Sequence, residues 1–293
     1  MKKLSALLAA GTIALALGAC SSSSAPASSA AASSAASGSS AASGELTTIT
    51  VGATANPHAI VLEEAKELLK DKGYELKVVE YSDYPNINPS TSDGSLDANY
   101  FQHEPYLISY NEDNGFKEGD DGYLVSAGAI HYEPLGIYSA KHESVDEIED
   151  GAQIVVPNDA TNEARALYLL QDQGWITLSD DATISTATVV DIVDNPKNLD
   201  IVEVAADQVA SKLPDVDYGV INGNYALTSN VTDQLLVSEA DDSDAAQTYQ
   251  NVIAVKESRK DDPAIKALVD VLRSDEIRAF INEEFDGVAV PAK

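Results

Sequence analysis

The start of the folded body constrains the architecture more than any other stretch. Residues 46–53 alternate and are rich in Thr, Ile and Val, and residues 74–81 form a second strand-like run. Between them Val61, Leu62, Ala65, Leu68 and Leu69 recur at helical spacing, and Gly73 stands where a helix is commonly capped. Strand, helix and strand in so short a span make a β-α-β unit, whose parallel strands need the helix as their crossover. A fold built on such a unit is α/β, and its ligands gather at the carboxyl ends of the strands.

A second α/β series follows. Residues 153–156 read as a strand, 160–173 as a helix, and 199–204 and 218–221 as further strands. Residues 251–256 form a strand able to return to the first series, and the chain closes with helices from Pro263 and Asp275, for which Asp262 and Ser274 are natural N-caps. Between the two series, residues 125–138 hold two apolar stretches broken by His131, Tyr132, Glu133 and Pro134, as suits an extended crossing. Two similar halves joined by extended crossings predict two lobes with a cleft between them. The expected division is 46–133 for the first part of lobe 1, 134–249 for lobe 2 and 250–293 for the return to lobe 1.

The body is preceded by a leader. Lys2 and Lys3 are followed by an apolar run over residues 4–17, too short for a membrane span and arranged like a secretory signal. The run closes with Leu17, Gly18, Ala19 and Cys20, the pattern of a lipobox, so residues 1–19 are expected to be removed and Cys20 to carry a lipid. Cys20 is the only cysteine, which excludes a disulfide or a thiolate metal site within the chain. Residues 20–45 are rich in Ser and Ala and read as a tether. The net charge of −30 repels nucleic acid and anionic lipid head groups, so the membrane link is expected to be the lipid. Asp241, Asp242 and Asp244 lack the glycine and terminal glutamate of a calcium loop and read as solvated.

Residues 97–107 crowd Asn99, Tyr100, Phe101, Gln102, His103 and Tyr106 into one stretch of a chain poor in aromatics. Two readings fit: the wall of a small-ligand pocket, or a strand running into a helix with His103 satisfied in the core. Tyr84 closes the second strand's end at the same edge. Arg165 lies at the start of a predicted helix with Asn162 one turn earlier, where a guanidinium seats a carboxylate; pairing with Glu163 or another acid is the other reading. Asn222 and Asn224 bracket Gly223 after an apolar strand, and Asn251 opens the returning strand. Side-chain amide oxygens accept from an ammonium group, although Asn224 equally suits a turn. An arginine, amide oxygens and the rings of Tyr84, Phe101 and Tyr106 together suit an amino acid, and a thioether side chain gains from ring contacts.

The segments YSDY, DGSLDANYFQHEPYL, HYEPLGIYS, VPNDATNEARAL, VDNPKNLDIVEV, VINGNYAL and YQNVIAVK, in this order, resemble the NlpA family of lipoproteins, and its methionine-binding members above all. The resemblance runs from about Thr50 to the C-terminus. It implies a two-lobed periplasmic-binding-protein fold of type 2, monomeric and without a cofactor, that captures methionine and presents it to an ABC permease and its ATPase. The methionine could be the L or D form or part of a dipeptide. By motif, Tyr84, Phe101, His103 and Tyr106 would surround the side chain, Asn162 and Arg165 would hold the carboxylate, and Asn222, Asn251 and Asn224 would reach the amino end. The lipid on Cys20 would hold the protein on the extracytoplasmic face, and the tether and acidity suit a Gram-positive plasma membrane. Two rivals remain at this point: a metal-binding importer lipoprotein using His58, His103, His131 and an acid, and a secreted hydrolase using paired carboxylates.

Overall fold

The computed structural model describes residues 45–240 and 243–292. The signal, Cys20, nearly all of the tether, Asp241 and Asp242 lie outside the described residues. The chain divides into two units, 1–43 and 44–293, and the fold is that of the second.

Strand β1 (Thr47–Thr54), helix α1 (Ile60–Asp71) and strand β2 (Tyr74–Tyr81) form the β-α-β unit. The two strands pair in parallel from Thr47 opposite Tyr74 to Thr54 opposite Tyr81. Helix α1 buries Val61, Leu62, Ala65 and Leu69, and Gly73 ends it at φ +91°, a left-handed conformation free of cost only for glycine. A short helix α2 (Ile87–Ser92) leads to β3 (Ala98–His103), which pairs parallel with β1 and runs straight into α3 (Glu104–Asp113). Next come β4 (Leu124–Tyr132) and β5 (Gly136–Tyr138), which belong to different sheets; the Glu133–Pro134 break anticipated as a crossing is where the chain changes sheet.

The chain continues through β6 (Gln153–Pro157), α4 (Ala160–Asp172), β7 (Thr177–Leu178) and β8 (Ile192–Asp194), which pair with each other in a separate two-stranded sheet, then β9 (Asp200–Val204), α5 (Ala206–Lys212), β10 (Tyr218–Ile221), α6 (Gly223–Thr228) and β11 (Leu235–Ser238); β6, β9, β10 and β11 complete the second sheet. Helix α7 (Asp244–Thr248) precedes β12 (Gln250–Lys256), which returns to the first sheet; α8 (Pro263–Leu272), α9 (Asp275–Phe285) and β13 (Val290–Pro291) follow. Asp262 and Ser274 cap α8 and α9 through Ala264 N–H and Ile277 N–H. Residues 222–225 are not a plain turn: Asn222 is the N-cap of α6, so the strand passes directly into a helix.

The strand orders are β13-β4-β12-β3-β1-β2 and β11-β5-β10-β6-β9. The fold is thus α/β and two-lobed. One core packs α1, α8 and α9 on the first sheet, and a second gathers around Trp175 and Tyr218 beneath α4. Since β12 runs antiparallel between β3 and β4, Asn251 lies opposite both His103 and His131. The carboxyl ends of β1, β3 and β4 and the start of β12 therefore share one edge. In the other sheet, parallel β6, β9 and β10 end at the edge that carries the starts of α4, α5 and α6.

Candidate ligand-binding site

Between these two edges lies a cavity. Tyr84, Phe101, His103 and Tyr106 line it from the first sheet's side and Asn162, Arg165, Asn222 and Asn224 from the second, with Asn251 on β12. Gln102, Glu133 and Gly223 also line it, and Glu133 was not among the expected ligand contacts.

The aromatic end is made by Tyr84, whose ring centroid is 5.6 Å from Phe101, 5.8 Å from Tyr106 and 4.8 Å from Tyr225. Its hydroxyl donates to Asn224 Oδ1 at 2.6 Å. His103 ends β3 and caps α3, its Nδ1 accepting from Tyr106 N–H at 3.2 Å. That fixes the tautomer: Nε2 carries the proton and donates to Asn162 Oδ1 at 3.1 Å. Burial, with Arg165 nearby, pushes the imidazole down to about 3, so it is neutral at pH 7. His103 is thus both readings at once, a satisfied residue where strand passes into helix and part of the cavity wall.

Arg165 is 3% exposed, and its charge is already paired. The partner is Glu239 and not Glu163: Nε lies 2.9 Å from Oε1 and Nη2 2.5 Å from Oε2, while Nη2 also donates to Glu133 O at 2.7 Å. Tyr249 stacks beneath the guanidinium, 4.4 Å from its carbon. Burial alone would lower the arginine's pKa; the Glu239 carboxylate outweighs it and holds the group above its ordinary value. Nη1 makes no hydrogen bond among the described residues, so one edge of the fork is open. Glu163 instead accepts from Val189 N–H at 3.0 Å.

The amide of Asn162 is heavily used. Its Oδ1 accepts from Asn222 Nδ2 at 2.8 Å as well as from His103, and its Nδ2 donates to Asp159, the N-cap of α4. Where a carboxylate contact was expected, the geometry gives Asn162 the work of holding Asn222 and His103 in place. Asn222 is left with an unpartnered, buried Oδ1. Asn251 differs from expectation in the opposite sense. Its oxygen, expected to accept from an ammonium group, already accepts from His58 Nε2 at 2.9 Å, so the amide turns its NH₂, a donor, to other partners.

Glu133 occupies the crossing between the sheets and is 6% exposed. Its Oε1 accepts from His131 Nε2 at 2.8 Å and lies 3.3 Å from His58 Nε2; its Oε2 accepts from the backbone N–H of Asn224 at 2.7 Å. The approach to α6 depends on Gly223, where a Cβ would sit 3.0 Å from Glu133 Oε2 and 3.2 Å from Val288 O. Burial raises the Glu133 carboxyl above its usual range. His58 and His131 are pushed down by burial to about 4 and about 3. Their remaining nitrogens meet Thr54 Oγ1 at 2.7 Å and Tyr100 OH at 2.5 Å, so both rings are neutral links between a hydroxyl and the carboxylate.

His58, His131 and Glu133 bring their ligand atoms within 4.8 Å of one another. Every one of these ring nitrogens has a hydrogen-bond partner, and His103 stands apart in its pair with Asn162, so the set named for a metal is not gathered at one point. The metal reading includes two of its members, His58 and His131, and the odd neighbourhood of His131, Glu133 and Pro134 between apolar runs hints at the third.

Comparison with known proteins places the chain among relatives. The family model of the NlpA lipoproteins matches residues 49–293. The methionine-binding lipoprotein MetQ of Bacillus subtilis is 41% identical over 245 residues, covering 83% of this chain and 87% of that protein. The D-methionine-binding lipoprotein MetQ of Escherichia coli K12 is 39% identical over 248 residues, with coverage of 83% and 87%. Among solved structures, a nutrient-binding protein from Burkholderia cenocepacia bound to methionine superposes with a TM-score of 0.77 at 41% identity, covering 84% of this chain and all of that one. The chain belongs to the NlpA lipoprotein family.

Proposed function

We propose that this protein is a lipid-anchored, extracytoplasmic solute-binding protein that captures free methionine and hands it to an ABC importer. The observation that carries the reading is the sorting of donors and acceptors in the cavity. Donors, Arg165 Nη1 and Asn251 Nδ2, suit a carboxylate. Acceptors, Asn222 Oδ1 and the Glu133 carboxylate, suit an ammonium group. The rings of Tyr84, Phe101 and Tyr106 suit a flexible apolar chain, to which a thioether adds favourable sulfur contacts. The methionine named for the relatives and bound in the Burkholderia protein supports that choice of side chain.

In this reading the lobes divide at residues 133–134 and 249–250, closure buries the ligand, and no bond is broken. Cys20 carries the lipid, outside a Gram-positive plasma membrane, and the bound form is presented to a permease driven by an ATPase. The L form is the expected ligand, and the relatives named for the D form make D-methionine the comparison that tests it.

The test is calorimetry on protein stripped of carried-over ligand, titrated with L-methionine, D-methionine, glycyl-methionine and other amino acids. One-to-one binding of L-methionine in the micromolar range or tighter is expected. Preference for the D form or the dipeptide would reassign the ligand within the class; binding of none would overturn the reading.

A further inference from the structure

Asn224 has a role that neither head group of an amino acid explains. It is 2% exposed, and its Nδ2 has no hydrogen-bond partner, an uncommon condition for a buried amide. The orientation is set by Tyr84, whose hydroxyl donates to Oδ1 at 2.6 Å. Turned over, the amide would donate to the phenol oxygen instead, and the phenol's own proton would be left without an acceptor among the described residues. The NH₂ is thus held beside the ring cluster, at the end of the cavity where the side chain of a ligand would lie. Tyr84 follows β2 of the first sheet and Asn224 lies in α6 after β10 of the second, so the hydrogen bond crosses the cleft.

We propose that Asn224, oriented across the cleft by Tyr84, is the residue that selects a ligand side chain bearing an acceptor heteroatom, the thioether sulfur, over a hydrocarbon of the same length. Burying a plain alkyl chain there leaves the NH₂ orphaned, whereas sulfur accepts from it, weakly but at no loss of packing. The discrimination is assembled only when the lobes meet, because the phenol that aims the amide comes from the opposite lobe. This inference rests on the amino-acid-binding reading above.

The test compares methionine with norleucine, in which a methylene replaces the sulfur, by calorimetry on the wild type, Asn224→Leu and Tyr84→Phe. Thermal unfolding of each variant without ligand checks that it folds. The wild type should prefer methionine by about ten-fold, the worth of one modest buried hydrogen bond. Asn224→Leu should bring the ratio close to one, and Tyr84→Phe, which keeps the ring and frees the amide, should reduce it in part. Equal affinity of the wild type for both ligands would overturn the proposal. So would an unchanged ratio in Asn224→Leu with both affinities lowered alike, which would make Asn224 a contact for the ligand's backbone groups. If the wild type bound neither, the underlying reading would fall first.

Discussion

Arg165 shows how one charge is divided between structure and, in the proposed reading, ligand. Buried guanidinium and carboxylate are each costly alone, and here Nε and Nη2 face Glu239 while Tyr249 covers the plane. The residue is pre-oriented, so a ligand carboxylate meeting Nη1 does not have to order it. Glu239→Ala should therefore act on the fold first, lowering unfolding free energy by about 3 kcal/mol, the usual cost of orphaning a buried charge. Urea denaturation measures this, and a loss under about 1 kcal/mol would mean that the arginine finds water or another acid. Glu133→Gln keeps the shape but removes the formal charge that, in the proposed reading, would face the ligand's ammonium group. It should weaken methionine binding by roughly ten- to hundred-fold, the worth of a charge-assisted hydrogen bond. Unchanged affinity would place the ammonium elsewhere.

Among the elements, those settled by neighbours in the chain were legible and those settled by distant partners were not. The β1-α1-β2 unit follows from periodicity and one glycine, and the caps of α8 and α9 follow from Asp262 and Ser274 standing before apolar repeats. The Glu239 partner of Arg165 lies 74 residues away, and His58 meets Asn251 across 193. In a chain with 48 acidic residues, no spacing singles out which one faces an arginine. Asn222 was legible as a polar group at a strand end, but the start of α6 behind it was hidden because Asn and Gly are also turn formers. Gly223 gives this element its test. Gly223→Ala would press a methyl group against Glu133 and Val288 O, so the carboxylate must move by a few tenths of an ångström. Methionine affinity is expected to drop several-fold with the helix intact by circular dichroism, and full retention would show that the Glu133 position is not critical.

At the scale of the whole molecule, two electrostatic effects oppose each other as pH falls. The net charge of −30 repels itself, and protonating surface carboxylates below about pH 5 relieves that strain. His58, His103 and His131 act earlier and in the other direction, because burial holds them near 4, 3 and 3 against an ordinary 6.5. The unfolded chain then takes up protons from pH 6.5 downward that the folded chain refuses, so the neutral-histidine contribution is whole above 6.5 and is lost as pH falls toward 3. Glu133, held above its ordinary value by burial, runs against this, its share of stability being present at low pH and lost as pH rises above 4.5. Between pH 7 and 5 the histidines outnumber it and the surface acids are still charged, so stability should fall by about 2 kcal/mol per histidine. His131→Gln should remove about one third of that slope while lowering stability at pH 7 through the lost contacts to Tyr100 and Glu133. Urea unfolding at pH 7, 6 and 5 reads both effects. A flat profile in the wild type would mean that these rings carry protons inside the fold, and with them the Glu133 cluster would present a net positive face to an incoming ammonium.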